Sequence, residues 1–294
     1  MNGPLMLVTG GSGYTGRRLV RRLVSRGQNL RLLLRVTSDT TWLRPLDPQP
    51  EVVYGDLEDE ASVAAAMGSV ERVIHVAHIR YSSAVASAAG PRVERIVFVS
   101  SLRAVSQVPC PTVEEVHRGE VAASAFPASI ILRPSMIYGP MDGDLNDRNL
   151  HQLSTWIARR GWVPVIGADS LHQPVHVEDV VDAILAANDR TITGTFDIAG
   201  PEPMSYGELI TTVGGVIGQC PRLIRFPAGP LIAAFRVWRS LRLPAPVDLP
   251  QLQRLLEDKS YDIAPARQHL EFRPRTLADG LRGDGEAAQG QRCH

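Results

Sequence analysis

The residues with the plainest chemistry lie in VTGGSGYTGRRLV, near the start of the chain. Gly11, Gly13 and Gly16 fit G-x-G-x-x-G, while Gly10, Gly13 and Gly16 fit the looser G-x-x-G-x-x-G. Glycines at this spacing let the backbone turn tightly, let a pyrophosphate come close, and let a helix pack hard against a strand. Free N–H groups at the start of a helix opening near Thr15 and Gly16 would then hold the anion. Gly10, Gly13, Tyr14, Thr15 and Gly16 are therefore candidate dinucleotide-binding residues. About 20 residues beyond the glycines, where a carboxylate would accept from a ribose 2′-hydroxyl, stands Arg35. A guanidinium there pairs with a 2′-phosphate, which points to NADP rather than NAD, with Arg17 or Arg18 as additional donors. The alternative is a solvated arginine, with the cofactor chosen elsewhere.

The elements that must position this turn alternate in period. Apolar runs at Leu5–Thr9, Leu30–Leu34 and Arg72–Val76 are separated by amphipathic stretches at Arg17–Arg26 and Ala61–Met67, a βαβαβ rhythm. Parallel strands need crossovers, so the rhythm predicts an α/β fold with a doubly wound parallel sheet of the Rossmann type. Further strands are expected at Arg95–Ser100, Ser129–Arg133 and Thr195–Ala199, and helices at Leu150–Arg160 and Val177–Asn188. The expected organisation is a nucleotide-binding core over residues 1–140, then late Rossmann elements interleaved with a small substrate-side subdomain over 141–283. Residues 284–294 lack apolar content and are expected to be disordered. Pro230–Leu243, apolar with interspersed arginines, reads as a packing helix or an amphipathic membrane-surface helix.

The 294 residues carry 31 basic and 31 acidic side chains and 44% hydrophobic residues, ordinary for a globular protein and no signature of a nucleic-acid partner. All basic residues but Lys259 are arginine. Cys110, Cys220 and Cys293 are too few and scattered for a disulfide framework or a zinc site, so no metal is expected. The first strand begins at once, without the pattern of a signal peptide, and no apolar run reaches bilayer length; a cytoplasmic protein is expected.

TGGSGYTG together with GDL at 55–57, VIHVAH at 73–78, FVSS at 98–101, LRPSMIYGP at 132–140, VHVEDVVDAI at 175–184 and FDIAGPEPMSYGEL at 196–209 resembles the extended short-chain dehydrogenase/reductases, the group of NAD-dependent epimerases and dehydratases, with a drift toward its atypical members. The resemblance implies that Asp56 and Leu57 approach the adenine and that Ala77 ends a strand running under the cofactor. It also implies that Ser100 sits near the nicotinamide ribose, and that Pro134 to Ile137 pass beside the nicotinamide. It further implies a small-molecule substrate, by family default a sugar nucleotide, and dimerisation through two helices for which the short 79–92 segment leaves little room. The polar loop MDGDLNDRN at 141–149, with His172, Gln173 and His176, occupies the substrate-side position and favours a polar ligand.

Members that move hydride carry Tyr-x-x-x-Lys on the helix after FVSS, and here the pattern breaks. No tyrosine or lysine lies between Ser101 and Arg133, and an alignment on Glu120 puts Thr112 and Val116 at the two positions. The expected serine or threonine falls on Leu102, one residue from Ser101. Three readings stay open: an enzyme using other groups, with His117 first, Glu114, Glu115 and Glu120 as alternatives and Ser101 orienting substrate; a reductase in which water or substrate supplies the proton; and a catalytically silent NADP-binding sensor or assembly subunit.

Overall fold

The computed structural model describes residues 3–147, 149–230 and 249–290. The chain runs β1 (Leu5–Thr9), α1 (Tyr14–Ser25), β2 (Asn29–Leu34), β3 (Glu51–Tyr54), α2 (Glu60–Ala66), β4 (Arg72–His75), α3 (Ser82–Ala88), β5 (Arg95–Val99), α4 (Pro111–Ser124) and β6 (Ser129–Pro134). It continues through β7 (Ile137–Tyr138), α5 (Asn149–Arg160), β8 (Trp162–Ile166), β9 (Leu171–His172), β10 (Val175–His176), α6 (Val177–Asp189), β11 (Gly194–Ile198), β12 (Met204–Ser205), α7 (Tyr206–Val216) and β13 (Arg222–Phe226). Helices α8 (Leu249–Leu256), α9 (Ala264–Leu270) and α10 (Leu277–Gly290) follow.

Seven strands form one parallel sheet in the order β11-β6-β5-β4-β1-β2-β3. Alternation along each strand explains why both faces are covered. Met6, Val8, Leu32, Ile74, Val97 and Ile130 meet Leu19, Leu23, Val180 and Ile184 on one side. Leu7, Leu33, Val73, Ile96 and Phe98 meet Val63, Val85 and Val116 on the other. The doubly wound sheet expected from the rhythm is thus present, and every strand and helix expected within the described residues appears within a few residues of its expected limits.

A third apolar cluster, including Tyr138, Ile157, Val163, Val165, Leu209 and Leu277, joins α5, α7, α10 and the short ladder β8/β13. The polar face of α1 explains why arginine dominates the early sequence. Arg21 pairs with Asp142, Arg22 with Asp182, and Arg26 with Asp189, fastening α1 to the loop after β7 and to α6.

Helix α10 runs on through Gly290, and Asp284 within it accepts from the buried His176 Nε2 at 3.1 Å, tying this turn to β10. Residues 291–294 lie outside the described residues, as does all of the Pro230–Leu243 stretch except Pro230. Among the described residues no helix is long and apolar enough to cross a membrane.

Candidate cofactor and catalytic site

The glycine turn joins β1 to α1 at the carboxyl ends of the strands. Gly10 adopts φ +74°, and a Cβ there would lie 2.5 Å from the Ala77 backbone nitrogen at the end of β4. At Gly16 a Cβ would sit inside the Gly10 carbonyl, so this residue lets α1 lie directly on the turn. Gly13 is the N-cap of α1, with no side-chain cap and no acidic residue in the first turn. The amides around Tyr14, Thr15 and Gly16 therefore have no side-chain anion competing for them, which fits a pyrophosphate. Tyr14 itself reaches sideways, donating its hydroxyl to the Pro140 carbonyl at 3.0 Å, and burial raises its pKa.

Arg35 follows β2 directly and is exposed, with its carbonyl in a turn to the Ser38 amide at 2.9 Å. The two auxiliary arginines go elsewhere. Arg18 is buried, donating to the Pro140 carbonyl at 2.6 Å and lying 3.3 Å from Glu178, with its guanidinium 4.3 Å from the Tyr14 ring centre. Arg17 donates to Asp39 at 3.1 Å. The Asp39 carboxyl is held below its usual range first by the Thr41 hydroxyl, and Arg17 adds to the shift. Neither is left as a free 2′-phosphate donor, because the carboxylates beside α1 claim both.

Asp56 is exposed beyond β3, and its Oδ1 accepts from the Glu58 amide at 3.0 Å. The cap of α2 is instead Asp59, which accepts from Ala61 and Ser62. Leu57 is half-buried against the second core. Pro134 ends β6 and the half-buried Ile137 opens β7, pairing with Val175 on β10.

His75 has an ordering role that the sequence reading missed. Wholly buried at the end of β4, it meets the Thr9 hydroxyl through Nδ1 at 2.7 Å and the His78 carbonyl through Nε2 at 3.2 Å. Burial pushes its pKa down to about 4. The ring is thus a neutral tautomer that accepts from Thr9 and donates to His78, pinning the Val76–His78 turn against the glycine loop. The histidine in VIHVAH was the available signal.

At the next strand ends lies a second buried arrangement. Ser100 donates its hydroxyl to Glu120 Oε1 at 2.6 Å. Arg133 grips the same carboxylate with Nε at 2.9 Å and Nη2 at 2.6 Å, and its Nη1 lies 3.8 Å from Asp197. Hydrogen bonding to Glu120 raises the Arg133 pKa, while burial raises that of Asp197. A bidentate pair holds Glu120 as a fixed acceptor and orients the Ser100 lone pairs outward.

Ser101, half-buried next door, accepts from the Arg103 amide at 3.2 Å and caps the short turn at Leu102–Val105. Its proton remains available for a substrate oxygen. His117 lies on the exposed surface of α4, one turn before Glu120, so the structure does not bring it together with the serines.

The polar groups expected around the substrate are mostly satisfied within the protein. Asp142 pairs with Arg21 at 2.7 Å, and Asp147 accepts from the Gly139 and His151 amides. Gln173 donates to the Gly200 carbonyl and accepts from the Tyr261 amide. His172 is buried against the Tyr206 ring, and burial lowers its pKa to about 4. His176 is buried between Asp284 and Tyr138, its Nδ1 capping α6 through the Glu178 amide.

The family model described as NAD(P)H-binding matches residues 10–132. A ceramide reductase of Caulobacter vibrioides is 31% identical over 263 residues, spanning 81% of this chain and 79% of that protein. The mitochondrial NADH dehydrogenase [ubiquinone] 1 alpha subcomplex subunit 9 of Arabidopsis thaliana is 28% identical over 281 residues, covering 87% of this chain and 69% of that one. The solved UDP-glucose 4-epimerase of Thermotoga maritima with UDP-glucose superposes with a TM-score of 0.73 at 19% identity, over 98% of this chain and 99% of that chain. With its glycine turn, its strand order and these relatives, the chain belongs to the short-chain dehydrogenase/reductases, of the extended epimerase/dehydratase-like type.

Proposed function

We propose that this protein is an NADPH-dependent carbonyl reductase in which Ser101 orients the substrate oxygen and water supplies the proton. The observation that carries the reading is the pair of neighbouring serines. Ser100 is committed to Glu120, whereas Ser101 accepts from a backbone amide and keeps its own proton to donate. When bound, the reduced nicotinamide supplies the hydride. The chain's part is to hold the carbonyl by the Ser101 hydroxyl and to keep Ser100 and Glu120 fixed beside the ribose, so that positioning accounts for most of the rate. Arg35, exposed at the end of β2, favours the 2′-phosphate of NADPH.

The substrate class we favour is an amphiphile with a ketone near a polar head. Asp142, Asp147, His176 and Gln173 on the substrate side already have partners in the protein, which counts against a densely polar sugar nucleotide. The ceramide reductase relative acts on a lipid by its name. The test is NADPH consumption with a panel of long-chain oxo-amides and 3-oxo acids beside 4-keto UDP-sugars, which offer the hydride a carbonyl of their own. Turnover of the UDP-sugars alone overturns the substrate class.

A second reading is a catalytically silent NADP-binding assembly subunit, favoured by the likeness to the Arabidopsis mitochondrial subunit. It predicts tight NADPH binding with no turnover of any carbonyl in the panel.

A further inference from the structure

The small ladder β8/β13 has one side in the third core and, among the described residues, the other open. Val163 and Val165 point inward and are buried, so Trp162, Pro164 and Ile166 alternate outward. Across the parallel register, Trp162 faces Arg222, Pro164 faces Ile224 and Ile166 faces Phe226. Ile224 and Phe226 are 38% and 49% exposed.

The apolar side extends onto α5. The Trp156 and Trp162 rings meet edge to face at 5.9 Å, and the Trp156 indole N–H donates to the Trp162 carbonyl at 2.8 Å. Trp156 is 40% exposed, and the Arg160 guanidinium lies 5.3 Å from its ring centre. Arg159 is exposed beside it, and Arg222, level with Trp162 on the outward side, is exposed on β13.

The described elements that form this patch carry charge of one sign, although the chain as a whole is neutral: α5 and β8 fall in a stretch without Asp or Glu between Asp147 and Asp169, and β13 has none. At the edge of the patch Asp169 lies 3.5 Å from Arg225. Tryptophan, isoleucine and phenylalanine beside Arg159, Arg160 and Arg222 suit the boundary between acyl chains and anionic headgroups: the indoles sit at the interface, the apolar side chains enter, and the guanidinium groups meet phosphate.

We infer that the open face of β8/β13, with the end of α5, docks this protein onto an anionic lipid surface. The patch is a peripheral attachment through side chains, compatible with the lack of a spanning helix among the described residues. It stands apart from the reading of the active site, and its test does not require turnover.

The full chain should float with vesicles of phosphatidylcholine containing phosphatidylglycerol, and should leave them as salt is raised. Vesicles of phosphatidylcholine alone should capture far less. Arg159→Gln with Arg160→Gln should lower the partition at least tenfold, since each basic residue near an anionic surface is worth about fivefold. Phe226→Ser with Ile224→Ser, exposed positions whose change leaves the fold intact, should lower it as much while NADPH binding stays unchanged. Three results would overturn the inference. One is failure of the wild type to bind anionic vesicles, as expected if residues 231–248 or a second copy cover the face. Another is equal binding to neutral vesicles, and the last is a sedimentation-detected dimer that Phe226→Ser dissolves.

Discussion

The Ser100 hydroxyl and Glu120 Oε1 lie 2.6 Å apart, across the junction of β5 and α4, with Arg133 closing the other side of the carboxylate. Glu120 lies one turn beyond Val116, the α4 position at which the resemblance expects a lysine. A carboxylate here needs the guanidinium of β6 to be tolerable in a buried place, so the two residues act as a unit.

Glu120→Gln should therefore destabilise the fold by about 2 kcal/mol, because Arg133 is left charged and only partly hydrated. In the double variant with Arg133→Gln the losses should be far from additive, recovering at least about 1 kcal/mol in urea denaturation. Additive losses would show that Glu120 and Arg133 are not energetically coupled.

Arg35→Asp should weaken NADPH binding by about tenfold to a hundredfold, the range of a lost charge-assisted hydrogen bond, and should leave NADH binding equal or improved. Fluorescence titration with each cofactor measures this. An unchanged preference would move the choice of cofactor away from β2. Because Arg17 is held by Asp39 and Arg18 by Pro140 and Glu178, neither can take over the role.

Two glycine substitutions should separate folding from binding. A methyl at Gly16 collides with the Gly10 carbonyl, so Gly16→Ala should lower both stability and cofactor binding. At Gly13 the added carbon would lie 3.3 Å from the same carbonyl, a contact that a small shift relieves. Gly13→Ala should keep the thermal midpoint within a few degrees yet lose dinucleotide affinity, since the methyl stands where the pyrophosphate approaches. Full affinity in Gly13→Ala would refute the close-approach role of that glycine.

The parts of this molecule legible from sequence are those set by local periodicity. The strands at Leu5–Thr9 and Ser129–Pro134 and the helix over Val177–Asp189 carry their own buried faces, and so their sequence patterns suffice. β3 was missed because Glu51–Tyr54 is a partly exposed edge strand with little apolar signal. β8 and β13 were missed because each is short and gains its partner from sixty residues away. At the site, the glycines announce themselves by type, whereas Glu120 and Arg133 announce nothing until β6 and α4 bring them together. The contact of Asp284 with His176 was illegible for the same reason: the fold alone brings β10 and α10 together.

The pH dependence of stability follows from histidines kept neutral. His75 is expected to titrate near its ordinary value of about 6.5 when unfolded, but in the fold it titrates at about 4. Above pH 6.5 neither state binds the proton, and the contribution to stability is flat. As pH falls from 6.5 toward 4 the unfolded chain takes up a proton that the folded ring refuses, so stability drops through this window and levels off below it. For His75 alone the loss approaches about 3 kcal/mol, and His172, also lowered to about 4, adds to it. Urea midpoints at pH 7.5 and 4.5 should differ accordingly. His75→Asn, which keeps one donor and one acceptor but cannot titrate, should be less stable at neutral pH and should show a shallower decline toward acid. A variant declining in parallel with the wild type would mean that the buried imidazole is not the source of the slope. If the shallow slope is found, cofactor affinity in the same variant becomes the informative quantity, because His75 fixes the turn that carries Ala77 against Gly10.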